Sequence, residues 1–424
     1  MREMKDSGVE WIGKIPIDWE KKRLKAVLCE RNVSNNPIKT DFILSLTNDR
    51  GVIPYTEKGE SGNKSKDDLT GYKLAYPNDI VLNSMNVIIG SVGLSKYYGC
   101  VSPVYYMLYP RYENDCVRYY NYLFQTRELQ SKLKGYGNGI MEIRMRIPMS
   151  KLNTVELPIP PYNVQYYIAD YLDEKCSEID NIIEKKQMII EKLGQYRLSV
   201  ISEMMVDSAY PLVSLGKCID KMEQGWSPSP SEKNQESDWH VLSLAAVKEG
   251  RFNKTEIKPF SGDKSRCERL KVNKGDFLLT RSNTREYVGA VCLVDDVFEN
   301  TIFSDLIYRI IFNTHFLLPS FALYYFQSAY ARQQIERDAH GSSSTMVKIT
   351  HKDISNWKIS LPSIEQQKII SKRLHTLDIA VMNEMDKRIL EINKLIAYKK
   401  TLIYEVVTGK KTYIYEKIGD MGDE

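Results

Sequence analysis

The sequence predicts an α+β fold: two pseudo-symmetric globular domains of mixed α/β character, separated by two long helices that form an antiparallel coiled coil. Three observations carry this. The chain matches itself at an offset of 202 residues. Each copy closes on a long helical stretch with heptad patterning. Each copy opens on short apolar runs broken by Gly, Asn and Asp, which read as strands and turns. The implied division is 1–160 and 207–362 for the domains, 161–206 and 363–408 for the helices, and 409–424 for a tail. A chain of 424 residues exceeds what one core usually holds, which agrees with two domains.

The strands come first in each copy. "YPNDIVLNSMNVIIGSVGL" (76–94) resembles "VNKGDFLLTRSNTREYVGAVCL" (272–293), which aligns Asp79 with Asp276. "KRLKAVL" likewise resembles "VSLGKCI". Asp79 and Asp276 each follow an Asn or Gly, so both are read as turn-forming residues whose side chains bond the local backbone. A helical stretch follows in each domain, "VRYYNYLFQTRELQSKL" and "FALYYFQSAYARQQIER", with apolar residues at helical spacing.

Next comes a junction written twice. "LPIPPYNVQYYIADYL" (157–172) meets "ISLPSIEQQKIISKRL" (359–374), with Pro160/Pro362, Gln165/Gln367, Ile168/Ile370 and Leu172/Leu374 coinciding. An apolar run, a proline break and a helical start mark a strand-to-helix boundary, because the residue before proline avoids helix. Ser363 with Gln366 suits a capping box, and Gly409 suits a helix stop.

The helices read as a coiled coil. Residues 163–205 would extend ~64 Å at 1.5 Å per residue. Their seam is Leu172, Cys176, Ile179, Ile183, Lys186, Ile190, Leu193, Arg197, Val200 and Met204. The second seam is Leu374, Asp378, Val381, Met385, Arg388, Ile392, Leu395, Lys399, Leu402 and Val406. Spacing alternates between four and three in both. Net charges oppose, −3 over 163–205 and +2 over 364–406, so the helices are expected to pair with each other. The basic interruptions are read as snorkelling at the edge of a seam that Ile182 and Ile189 widen.

Composition excludes several classes. The net charge of +4 is mild and names no partner. No apolar run approaches 18 residues, and the start lacks an apolar signal core, so neither a membrane span nor a secretory leader is expected. Seven cysteines without a C-x-x-C pair fit reduced thiols, hence a cytoplasmic location, better than disulfides or zinc. No P-loop, dinucleotide turn or Ser/His/Asp order stands out. "IPPY" (159–162) has Ile159 where an amino-methyltransferase motif needs Asn, Asp or Ser. The chain is read as non-catalytic and metal-free.

The arrangement resembles the specificity subunit of type I restriction–modification systems. The resembling residues are "GVEWIGKIPIDWEKKRLK" at the start, "SIEQQKII" and the looser "PYNVQYYI" at the junctions, "IADYLDEKCSEID", and "EVVTGK". Val164 departs from that family's junction glutamate. The resemblance implies two target recognition domains, each reading half of a split sequence in double-stranded DNA. It implies a coiled-coil spacer and docking of two modification (methyltransferase) subunits, with restriction subunits completing the enzyme. S-adenosylmethionine, ATP and Mg²⁺ would then sit on those partners and none on this chain. Self-association of the isolated chain stays open.

Candidate DNA contacts follow from residue chemistry. Arg281 and Arg285 in "TRSNTREY" suit guanine, and Asn83 and Asn86 in the counterpart segment suit adenine. "GYGNGIMEIRMR" and "HGSSSTMVKITHK" read as flexible DNA-facing loops, offering Tyr136, Asn138 and Arg144, with Arg146 and Lys348 as equivalent phosphate contacts. Residues 1–162 carry +5 and 206–363 only +1, so the second domain must concentrate its positive charge. Two other classes compete: a coiled-coil adaptor for proteins, and a methyltransferase or nuclease with unrecognised motifs. The adaptor predicts salt-insensitive binding. The enzyme predicts activity without partners.

Overall fold

The structure, a computed structural model, describes residues 3–48, 50–59, 65–85, 90–136, 146–228, 239–248, 250–260, 264–341 and 346–411. Two compact units form it: residues 1–185 with 390–424, and residues 186–389. Both long helices are therefore shared. Tyr162–Met205 gives its first half to the first unit, and Ile364–Val407 gives its first half to the second. At 44 residues each, they are about 66 Å long.

Each unit holds a four-stranded antiparallel sheet. In the first, the order is Leu28–Arg31, Tyr105–Pro110, Ile80–Asn83 and Val92–Leu94. In the second it is Ile219–Gln224, Ile307–Phe312, Phe277–Thr280 and Val291–Leu293. Registers coincide: Leu108 faces Ile80, and Ile310 faces Phe277. Ile80–Asn83 and Phe277–Thr280 are buried on both faces, which is why they read as continuous apolar runs. A two-stranded ladder closes each domain: Glu20–Arg23 on Glu156–Ile159, and Leu212–Ser214 on Lys358–Ser360. Both ends of each domain thus meet at the foot of a long helix.

Asp79 and Asp276 do form turns. Each carboxylate accepts the N–H three residues earlier, of Tyr76 and Asn273, at 2.9 Å. The preceding residues, Asn78 (φ 67°) and Gly275 (φ 93°), take the left-handed conformation that Asn and Gly tolerate. Each carboxylate also holds an arginine, which the sequence did not reveal: Arg31 at 2.9 Å and Arg309 at 3.0 Å. The arginine has changed strands between copies. Arg31 stands opposite Met107, whereas Glu223 stands opposite Arg309.

The duplicated glutamines fasten the junction. Gln165 and Gln367 are fully buried. Their Oε1 atoms accept the N–H of Cys116 at 3.0 Å and of Leu318 at 2.9 Å. Their Nε2 atoms donate to the carbonyls of Pro160 at 3.1 Å and Pro362 at 3.0 Å. Each glutamine therefore ties the first turn of a long helix to the start of a domain helix, Val117–Phe124 or Pro319–Gln327. Ser363 Oγ accepts the Gln366 N–H at 3.4 Å. At the far end Gly409 (φ 74°) closes a Schellman motif: its N–H reaches Val406 O at 3.1 Å, and that of Lys410 reaches Glu405 O at 2.8 Å.

Within each unit the helix halves run antiparallel. In the first, the Tyr119 hydroxyl joins Pro158 O to Val407 O, and Lys399 Nζ bonds Asp180 at 2.7 Å. In the second, Ile201 and Met205 share a core with Ile370 and Leu374, while Arg197 Nε bonds Asp378 at 2.5 Å. All twenty seam positions are buried or half-buried, among them Leu172, Ile179, Ile183, Ile190, Leu193 and Val200, and Leu374, Val381, Met385, Ile392, Leu395 and Leu402. Two expectations need correction. Ile182 and Ile189 do not widen the seam, because they are 44% and 41% exposed. Arg197 does not snorkel, because it is 7% exposed and held by Asp378 and Gln327. Pairing in place, not escape to water, neutralises its charge. Among the described residues no helix is long and apolar enough to cross a membrane.

Candidate nucleic-acid interface

In each unit the structure joins the end of an inner strand to the residues that follow a sequence-predicted loop, most of whose own residues in the first unit lie outside the described ones. In the first, the central strand ends at Asn83, and the next carbonyl, of Ser84, accepts the Ile147 N–H at 3.0 Å. That contact sets exposed Arg146 beside the strand end. In the second, the matching carbonyl of Arg281 accepts the Ile349 N–H at 2.9 Å. Ser282–Asn283 then pairs antiparallel with Val347–Lys348, leaving the Lys348 side chain exposed. The same knot is therefore tied twice, each time with a cation one residue before the bonded isoleucine.

Individual side chains diverge from the sequence reading. Asn83 is only 9% exposed, and its Oδ1 accepts the Met85 N–H at 3.0 Å, so its amide is not displayed for adenine. Burial follows from its place in an inner strand. Arg281 is half-buried: Nη1 donates to Asp305 O at 3.3 Å, and the guanidinium lies 5.4 Å from the Tyr308 ring. Arg285 is exposed. Tyr136 stands apart, packed against the first unit's core with Lys132 5.9 Å from its ring. Asn86, Asn138 and Arg144 lie outside the described residues.

Other groups at these knots gave no sequence signal. In the first unit Lys73 donates to Tyr105 O at 3.3 Å and lies 5.4 Å from the Tyr106 ring. Burial pulls its pKa down, Glu30 opposes that, and the Arg146 charge adds to it. Lys73 is paired with Glu30 at 3.8 Å. In the second unit Tyr308, which matches Tyr106, packs against His351 with ring centroids 4.3 Å apart and planes tilted by 50°. Burial, then the Arg281 charge, lowers the His351 pKa. Three buried polar atoms of the described residues here have no hydrogen-bond partner: Arg281 Nε, Ser282 Oγ and Ser304 Oγ.

Comparison with known proteins agrees with this duplicated design. The family model described as "Type I restriction modification DNA specificity domain" matches residues 16–192 and again 223–394. The MjaVIII specificity subunit of Methanocaldococcus jannaschii is 23% identical over 439 residues, covering 94% of each chain. The EcoKI specificity subunit of Escherichia coli (strain K12) is 23% identical over 258 residues, 57% of this chain and 54% of that protein. That match therefore spans about half the length of the EcoKI subunit. A chain from a solved structure on complex assembly and conformational transition of the type I R-M system shares the fold, with a TM-score of 0.66 at 13% identity, over 93% of this chain and 98% of that one. This chain belongs to the type I restriction modification DNA specificity domain family, and carries the family's domain twice.

Proposed function

We propose that the protein is the DNA-specificity subunit of a type I restriction–modification complex. Each domain reads one half of a bipartite duplex target. The long helices set the spacing and dock modification subunits. The observation that carries this is the knot built twice, Ser84–Ile147 beside Arg146 and Arg281–Ile349 beside Lys348. Phosphate contacts fix a protein's register on the duplex, and both exposed cations suit that task. Base reading then falls to neighbouring groups such as Arg285, whose fork suits guanine. Half-sites read on one face lie about a helical turn, ~34–36 Å, apart, and helices of about 66 Å are long enough to set such a spacing.

The chain does no chemistry in this reading. Methyl transfer from S-adenosylmethionine, and ATP- and Mg²⁺-dependent restriction, belong to partner subunits in the cytoplasm. Single-molecule methylome mapping of cells carrying this chain and its modification subunit tests the reading. A bipartite methylated adenine motif is expected, and its absence would refute it. Methyl transfer by the purified chain alone would refute the non-catalytic assignment.

A further inference from the structure

The second knot carries an ionisable cluster that the first lacks. Tyr106 and Tyr308 are matched, 202 positions apart. In the first unit the Tyr106 hydroxyl donates to Ile147 O at 3.1 Å, so it is spent on the knot itself. In the second unit the Tyr308 ring meets two groups that can carry charge. The Arg281 guanidinium is 5.4 Å from its centroid, and the His351 ring centroid is 4.3 Å away. The first unit has Ser84 where Arg281 stands in the knot, and Met149 at 202 positions before His351. Neither of these can take a proton at ordinary pH.

His351 is exposed, yet held in place. It opens the helix His351–Asn356, whose start is fixed by a capping box. The Thr350 N–H donates to Asp353 Oδ2 at 2.8 Å, and the Asp353 N–H donates to Thr350 Oγ1 at 3.3 Å. The one acid of that helix is therefore committed to the cap. The other charges around the imidazole are cationic or neutral. Lys352 shares the helix, and exposed Lys348 precedes it, paired through the backbone with His340. The packed turn Leu215–Cys218 adds Lys217 and the buried Cys218, whose thiol burial pushes up. Among the described residues no hydrogen bond occupies the His351 ring nitrogens. Burial, then the Arg281 charge, holds its pKa below the ordinary 6.5, so the free ring is uncharged at neutral pH.

We propose that His351 is a phosphate contact peculiar to the second recognition domain, and that the duplex binds there together with one proton. The inference rests on the specificity-subunit reading above. Beside Arg281 the free imidazole resists protonation. An arriving phosphate reverses that balance, because an opposite charge within a few ångströms favours the cationic form. The proton comes from solvent and adds to a ring nitrogen, and the imidazolium so formed donates to a phosphate oxygen. A phosphate suits the position better than a base edge. His351 lies three residues from Lys348, proposed above as a phosphate contact, and backbone contacts are the commoner kind. Met149 offers no such group, so the first domain engages its half-site without this proton.

Titration calorimetry of the purified specificity–modification complex tests this, with a duplex carrying the motif found by methylome mapping. Runs in buffers of different ionisation enthalpy count the protons bound. Near pH 6.5 the wild-type complex should take up a measurable fraction of one proton, and His351→Gln should lose it. Wild-type affinity should rise as pH falls, by up to about tenfold per pH unit between the free and bound pKa values. His351→Gln should flatten that rise. At acid pH it should also lower the slope of log affinity against log salt by ~1. His351→Lys, a permanent cation, should restore tight binding without proton uptake. An unchanged proton count in His351→Gln would overturn the inference and leave the functional reading intact. Equal weakening by both variants at every pH would also overturn it, marking a structural residue. So would a changed methylated motif in cells carrying His351→Gln, which marks base reading. A wild-type complex that binds no duplex would refute the underlying reading itself.

Discussion

Gln165→Ala and Gln367→Ala each strand a buried backbone N–H and a proline carbonyl at a helix junction. Each should cost ~1–3 kcal/mol per orphaned group, read by urea denaturation. The isosteric Glu leaves the N–H satisfied but loses the donor to proline, so it too should destabilise. Asp79 and Glu223, the acids paired with Arg31 and Arg309, carry opposite pH signatures. Burial, outweighing Arg31, raises the Asp79 pKa above its ordinary 3.8. Its contribution is therefore fully present below 3.8 and declines as pH rises through the folded value. Burial also pushes Glu223 upward, but Lys221 and Arg309 together hold it below its ordinary 4.5. Its contribution is present above 4.5 and is lost as pH falls through the folded value. Glu223→Gln should flatten the acid limb of a stability-versus-pH curve. A steepened acid limb would contradict this. Sequence comparison showed that the two glutamines and the aspartates Asp79 and Asp276 recur. It did not show why, because their partners are backbone groups and arginines tens of residues away.

The helix pairing rests on ion pairs of unequal weight. Arg197–Asp378 is mostly buried, at 9% and 21% side-chain exposure, whereas Lys399–Asp180 is at 26% and 56%. Arg197→Ala should cost ~3 kcal/mol, the low end for a buried pair, because Asp378 retains some water. Lys399→Ala should cost ~1 kcal/mol or less. A double-mutant cycle with Asp378→Ala and Asp180→Ala would check both couplings. Equal couplings would contradict the burial argument. Heptad spacing picked out positions that are all buried or half-buried, because a 3.5-residue repeat is a property of one helix. It misplaced Ile182 and Ile189, because only the partner's position says which flank of a seam is covered. The strands were legible as apolar runs, but their order was not, since pairing joins Ile80 to Leu108 across a long stretch of chain.

At the scale of the molecule, the duplication makes separable predictions. Replacing residues 207–362 with another family member's domain should change one half of the methylated motif. A change in both halves would sink the modular reading. Arg146→Ala and Lys348→Ala should each lower the slope of log affinity against log salt by ~1, uniformly across sequences, in binding measured by anisotropy. Leu193→Asp with Leu395→Asp places charge at two half-buried seam positions and should disrupt methylation of the whole site, read in the same methylome map.

Periodicity and self-similarity are local or translational properties, so the sequence alone determined the two-copy plan, the two long helices and the family. The identity of the arginine that meets each strand-opening acid depends on which strand lies alongside, and only the tertiary structure decided that. The same holds for Asn83, a fine adenine reader by type, which an inner strand buries. It holds again for Lys372 and His375, which sit 202 positions after Asp170 and Asp173 yet line a cleft, whereas those two aspartates bond Arg118. Side-chain chemistry is written in the sequence. Whether a side chain faces a partner, its own core or water is settled by long-range packing.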